Sequence, residues 1–251
     1  MSEPAPRHWE IFLEVFEALP RQGPGSRAST ARALKLCGDL PPSPSVLDLG
    51  CGTGAQTLHL AELTSGCIVA IDSHAPSIER LCQTVTDLGL ANRVFPRVGD
   101  IAHPQEPPES FDLVWSEGAL YNLGLERALP ICRDMLRPRA YLGFTDAIWR
   151  KQSPPPEVRA MFEDYPTMGT VGDALGVIAQ SGLSTVGHFT LPHEAWWDDF
   201  YAPMERRIET LRTTYAGAPN ALAALEEVAQ EPEIHRRHSA YYAYEFFVAR
   251  R

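Results

Sequence analysis

Lysine is nearly absent from this 251-residue chain: only Lys35 and Lys151 occur, and the rest of the basic charge is arginine. The formal net charge is -10. Broad contact with nucleic acid needs a positive field, so no nucleic-acid partner is expected. The five cysteines, Cys37, Cys51, Cys67, Cys82 and Cys132, are never spaced as Cys-x-x-Cys. Neither a disulfide framework nor a metal site is expected from them. No apolar run approaches the roughly 20 residues of a membrane span. The opening "MSEPAPRHWE" lacks a basic stretch followed by an apolar one, so no leader is expected. The reading is a cytoplasmic protein with reduced thiols and no membrane partner. No internal repeat, low-complexity tract, P-loop or Ser/His/Asp triad can be assigned.

What is present is an apolar content of 44%, enough for one sizeable core. Residues 7–19 place Trp9, Phe12, Leu13, Phe16 and Leu19 at helical spacing, which predicts one apolar face ended by Pro20. The loop "RQGPGS" (21–26) follows, and Ser29 or Thr30 is expected to help start a second helix through Cys37. From Ser45 the pattern alternates, with strands expected over 45–49, 67–71, 94–98, 111–115, 140–146 and 184–191. Helices are expected over 54–64, 75–88, 125–137 and 172–181, and "YYAYEFFVAR" (241–250) reads as a last strand. Short apolar runs separated by helices predict an α/β fold with a mainly parallel sheet covered on both faces. Segments 147–171 and 192–240 break the alternation, each after a strand, where open sheets place their ligands. Both are candidates for a cap.

The stretch "SVLDLGCGTGAQTLHLAE" (45–62) joins the first strand to its helix. Glycines there let backbone approach a ligand, and the helix N-terminus offers unpaired N–H groups. Asp72 ends the next strand, eighteen residues beyond Gly54, where an acid can accept bonds from both hydroxyls of a ribose. A dinucleotide turn reads G-x-G-x-x-G, but that spacing fails here at Ala55. Asp48, two positions before Gly50, would be repelled by a pyrophosphate and attracted by an ammonium or a sulfonium. The expected cofactor is therefore a cationic nucleoside rather than a nicotinamide dinucleotide.

The segment "VLDLGCGTG" resembles the first motif of the class I S-adenosylmethionine-dependent methyltransferases. Asp72 resembles their ribose acid, "VGDI" (98–101) the segment whose aspartate meets the adenine amine, and "FDLVWSEGALYN" (111–122) their fourth strand and following loop. Within that superfamily the chain resembles the type 11 group related to the ubiquinone and menaquinone C-methyltransferases. "LPRQGPGS", "WSEGALYN", "AWWDDFYAP" and "AYYAYEFF" are similar to a bacterial methyltransferase group. The resemblance implies a Rossmann-like seven-stranded sheet in the order 3-2-1-4-5-7-6, with an antiparallel last strand. It implies N-terminal helices (1–44) over the cofactor site, a core (45–191), a helical and aromatic cap (192–240) and the last strand (241–251). It also implies S-adenosylmethionine as methyl donor, with S-adenosylhomocysteine as product.

The candidate cofactor residues are Gln22, Gly23 and Ser26 in the loop, Asp48, and Gly50, Cys51, Gly52, Thr53 and Gly54 in the turn. Gln56 and Thr57 open the helix, Asp72 and Ser73 end the second strand, and Gly99, Asp100 and Ile101 end the third. Ser116, Glu117 and Gly118 follow the fourth. Gln22 could hydrogen-bond the cofactor carboxylate. Candidate catalytic groups are Glu117, which could instead pair with an arginine, Tyr121 and His193. Tyr121, Asn122, Trp196, Trp197 and Tyr201 are candidates for a substrate pocket, with cap packing the alternative for the aromatics. Replacing Trp196 is expected to spare cofactor affinity and change turnover. His235 and His238 are expected on a solvated helix face.

A sulfonium methyl is already activated, so alignment and exclusion of water are the main tasks, and a base is needed only if the acceptor must lose a proton. The loop after the fourth strand lacks the Asn/Asp-Pro-Pro-Tyr type motif of enzymes that methylate DNA bases or protein glutamine. A small-molecule acceptor is therefore expected, with oxygen, nitrogen and carbon all open. A non-catalytic sensor that binds the cofactor is the alternative. The oligomeric state is open, a homodimer included.

Overall fold

The structure, a computed structural model, describes residues 8–251, so the expected helix start at Arg7 lies outside the described residues. Strand β1 (Ser45–Leu49) is buried along nearly its whole length, as a strand covered on both faces must be. It pairs in parallel with β2 (Cys67–Asp72), which pairs with β3 (Val94–Val98). On its other side β1 meets β4 (Phe111–Glu117), and β4 meets β5 (Leu136–Trp149). The last strand, β7 (Tyr242–Arg250), runs antiparallel between β5 and β6 (Ser184–Thr190). The order β3-β2-β1-β4-β5-β7-β6 is the one the resemblance implies.

Helices α2 (Arg27–Leu36), α3 (Ala55–Leu63) and α4 (Ala75–Asp87) cover one face, contributing Ala33, Leu60 and Leu81 to its apolar cluster. Helices α5 (Leu125–Met135) and α7 (Val171–Gln180) cover the other through Leu129 and Ile178. The α5 helix stops before the expected residue 137. Arg137 precedes Pro138, and a residue before proline is driven out of the helical region, so the chain passes directly into β5. At its start α2 is capped by Ser26, whose Oγ accepts from the Ser29 amide at 3.1 Å, rather than by Ser29 or Thr30.

A third apolar cluster forms the cap. It joins α1 (His8–Phe16), α6 (Pro156–Met161), α8 (Glu194–Trp196) with the π-helical turn Trp197–Tyr201, α9 (Ala202–Thr214) and α10 (Pro219–His238). Segments before the first strand and between the later strands thus share one core. Leu19, just beyond α1, is buried as expected, but the face of α1 itself differs: Ile11 and Val15 are buried, while Trp9 is 62% exposed. Phe12 and Phe16 lie on an adjacent stripe, stacked at 4.1 Å. Among the described residues, no helix is long and apolar enough to cross a membrane.

Candidate active site

The carboxyl ends of β1, β2 and β4 meet at the glycine turn. Gly50 and Gly52 hold φ of 72° and 54°, a left-handed region that side chains disfavour. A Cβ at Gly50 would collide with Ala119 behind β4, and one at Gly52 with the Gln22 amide. The second contact shows where the "RQGPGS" loop goes: Gln22 Oε1 accepts from the Thr53 amide at 3.0 Å, so the loop lies on the turn. The loop is tied to the cap as well, where the Gly25 amide donates to the Ala195 carbonyl at 2.8 Å. Asp72 faces the turn from β2, accepting from the Gly52 amide at 2.8 Å and the His74 amide at 2.9 Å.

Beneath the loop lies a buried ion pair. Arg21 Nη2 donates to Glu117 Oε2, and both side chains are almost inaccessible. Glu117 Oε1 also accepts from Trp115 Nε1 at 2.8 Å and Thr30 Oγ1 at 3.0 Å. Glu117, a candidate base from the sequence, is committed to this network, so the arginine alternative is the one the structure realises. The other guanidinium nitrogen, Arg21 Nη1, is buried with no hydrogen-bond partner.

Asp48 does not face the ligand space. It points under α3, accepting from Thr57 Oγ1 at 2.5 Å and Gln56 Nε2 at 3.4 Å. Loss of water pushes its carboxyl up to about 7, against the opposing pull of the Thr57 and Gln56 bonds. The folded chain therefore keeps a proton that the unfolded chain, with an ordinary value of 3.8, has released. The stabilisation is whole below that ordinary value and is lost as pH rises through about 7. Urea unfolding of Asp48→Asn is expected to show a smaller fall in stability between about pH 5 and 8 than the natural chain.

A cavity of about 360 Å³ opens above the turn. Of the candidate cofactor residues, it gathers Gln22, Gly23, Gly50, Cys51, Gly52, Thr53, Gln56, Asp72, Glu117 and Gly118. The substrate candidates Tyr121, Asn122, Trp196 and Tyr201 line it too. The remaining candidates do not. Ser26 caps α2, Thr57 holds Asp48, and Ser116 Oγ donates to the Leu49 carbonyl at 2.8 Å. Gly54 packs under Leu81, while Ser73, Gly99 and Ile101 lie outside the lining. Asp100 turns to its own loop, where the His103 ring at 3.0 Å and the Ala102 amide at 2.8 Å hold its carboxyl below the usual range. His193 is exposed, off the cavity and 5.8 Å from the Trp197 ring, so it has no position from which to act as a base. Trp197 lies off the cavity beneath the Arg236 guanidinium at 4.8 Å. His235 is buried rather than solvated, stacked at 4.2 Å on Trp196 and bonded to Tyr242 Oη at 3.0 Å.

The cavity also exposes residues that sequence patterns left unmarked. Phe12 and Phe16 enter from the second stripe of α1, and Arg21 from the loop. Glu231 enters from the middle of α10, where Tyr201 Oη donates to its Oε1 at 3.0 Å. The stretch "QEPEIHRRH" gives Glu231 no signal, because its neighbours Glu233, Arg236 and Arg237 are surface residues.

A methyltransferase domain family model matches residues 46–139. A solved S-adenosylmethionine-dependent methyltransferase from Thiobacillus denitrificans, in complex with S-adenosyl-L-homocysteine, shares the fold with a TM-score of 0.81 over 99% of both chains, at 19% identity. Residues 46–139 thus match a methyltransferase domain, and the chain has the fold of that solved methyltransferase. Among curated relatives, nocamycin O-methyltransferase of Saccharothrix syringae is 32% identical over 148 residues, 58% of this chain and 51% of that protein. Demethylmenaquinone methyltransferase of Lactiplantibacillus plantarum is 39% identical over 100 residues, 39% of this chain and 42% of that protein. The chain thus matches about half the length of these two relatives.

The residues of the cavity fit S-adenosylmethionine, the cofactor that the sequence resemblance implies. The glycine turn leaves room for backbone approach, Asp72 presents a carboxylate beside it, and the orphaned Arg21 nitrogen is a donor awaiting an acceptor.

Proposed function

We propose that this chain transfers the methyl group of S-adenosylmethionine to a small-molecule acceptor. The observation that carries the reading is the buried Arg21 Nη1, unpartnered beside the glycine turn and suited to a carboxylate. In this reading Arg21 holds the methionine carboxylate, Asp72 the ribose hydroxyls, and the turn from Gly50 to Thr53 the adjoining backbone face. Asp48 and Thr57 act one layer below, fixing the start of α3. The cofactor supplies an activated methyl on a sulfonium, so the chain's own residues have to orient the acceptor and keep water out. Gln22 and the Gly25 amide, which tie the loop to the turn and the cap, close the site on one side. Phe12, Phe16 and Phe200 line it with apolar surface.

The division of labour follows. Of the expected N-terminal segment, residues 8–44 cover the cofactor, while 45–191 form the methyltransferase core, 192–240 the cap and 241–251 the closing strand. The net charge of -10 supports an acceptor other than nucleic acid. Calorimetric titration with S-adenosylmethionine, S-adenosylhomocysteine and NADH tests the reading: the first two are expected to bind and the third not. NADH binding alone would overturn it. Asp72→Ala is expected to weaken S-adenosylhomocysteine binding by about 1–3 kcal/mol, the worth of a charge-assisted bond. Unchanged affinity would remove Asp72 from the ribose role.

A further inference from the structure

The acceptor side of the cavity is an aromatic enclosure with one acid in it. Tyr121, Phe162, Trp196, Phe200, Tyr201 and Tyr244 supply the rings, and Glu231 the carboxyl. The other charged groups that line the cavity among the described residues have partners of their own: Arg21 and Glu117 hold each other, and Asp72 accepts from the Gly52 and His74 amides. Glu231 receives one hydrogen bond, from Tyr201 Oη at 3.0 Å, leaving acceptor capacity on the carboxylate. Among the described residues, no lysine, and no arginine besides Arg21, lines the cavity. An anionic acceptor would meet aromatic faces and an acid with nothing to neutralise it. A cation gains twice, from the carboxylate and from the negative faces of the rings.

Building on the methyl-transfer reading above, we infer that the acceptor is a primary alkyl or arylalkyl amine, and that Glu231 both holds its ammonium and takes its proton. The ammonium R–NH3+ gives one proton to the Glu231 carboxylate, leaving R–NH2 and a carboxylic acid. The amine lone pair then forms the N–C bond as the C–S bond breaks, sulfur keeping the electron pair. The product is R–NH2CH3+, and Glu231 returns its proton to water. Burial favours this exchange, because it raises the Glu231 carboxyl to about 7, against the opposing pull of the Tyr201 bond. The groups facing Glu231 do not compete for that proton. Tyr121, Tyr201, Tyr242 and Tyr244 are all pushed up by burial and stay neutral, and the His235 ring is pushed down to about 4 by loss of water and by His193 and Arg236.

The test uses the full chain saturated with S-adenosylhomocysteine and three probes of one shape: phenethylamine, 2-phenylethanol and 3-phenylpropionate. By calorimetry at about pH 8, where Glu231 is ionised, the amine is expected to bind about tenfold or more tighter than the alcohol, and the acid no better than the alcohol. In Glu231→Gln the amine's advantage is expected to vanish, with S-adenosylhomocysteine affinity within about twofold of the natural chain. At about pH 5.5, where Glu231 is protonated, the advantage is expected to shrink in the natural chain alone. The proposal is overturned if phenethylamine does not bind, binds no better than the alcohol, or keeps its advantage in Glu231→Gln. Failure of the natural chain to bind S-adenosylhomocysteine is a different result, which removes the methyl-transfer reading itself.

Discussion

Arg21→Met is expected to lower stability by about 3–5 kcal/mol, because it strands the Glu117 carboxylate in a site without water. The Glu117 side chain is wholly inaccessible, and the bonds from Trp115 and Thr30 do not supply a neutralising charge. The double variant Arg21→Met/Glu117→Gln removes both charges and is expected to recover most of that loss, because the amide oxygen still accepts from Trp115 and Thr30. Affinity for S-adenosylhomocysteine is expected to follow a different pattern. It should fall by about 1.5–3 kcal/mol in both variants, since each lacks the guanidinium proposed to meet the cofactor carboxylate. Urea unfolding and calorimetric titration of the same samples separate the two roles. Recovery of affinity in the double variant would restrict Arg21 to holding the fold.

Trp196→Ala is expected to cost about 3–5 kcal/mol, the usual range for deleting a buried indole. The side chain lies at the junction of cap and sheet, 4.2 Å from the His235 ring and edge-on to Tyr242 and Tyr244 of β7 at 5.8 and 5.2 Å. Its loss leaves a void between α8, α10 and β7 that the fixed sheet cannot collapse to fill. At this chain length each kcal/mol corresponds to about 2–4 °C in Tm, so a thermal scan reads the effect directly. The sequence expectation for Trp196 is a change in turnover alone. Because Trp196 both lines the cavity and anchors the cap, stability and turnover are expected to fall together. Trp196→Phe, which keeps an aromatic face toward His235, is expected to retain most of the stability. A Tm for Trp196→Ala within a degree of the natural chain would show that the cap does not depend on this residue.

The strands follow from the sequence because parallel, doubly covered strands impose short apolar runs, legible from Ser45 to Thr190, while their order was implied by the resemblance to a family and not by period. The glycine turn was legible for a related reason: positive φ at Gly50 and Gly52 and close approach of Ala119 and Gln22 leave few residue types that fit. Asp72 could be placed because it ends a strand next to that turn. These are local constraints, and each writes itself into a few neighbouring residues.

Arg21, Asp48 and Glu231 show what local pattern does not carry. Asp48 sits where a charge could meet a cationic ligand, yet the direction of its side chain is set by Thr57 and Gln56 on the following helix, which turn it beneath the wall. Glu117 is one residue from a loop that suits a base. Arg21, 96 positions away in the chain, binds it instead. Glu231 belongs to a charged helix whose other acids face water, and only the packing of α10 against Tyr201 and the cap turns this one inward. The sequence by itself determined the strands and the turn, since those depend on period and backbone torsion, and its motifs carried the resemblance that implied the strand order and the cofactor. Which charges are paired, which are orphaned and which acid faces the acceptor were decided only by tertiary structure, because a carboxylate's role depends on the burial and partners that distant segments bring to it.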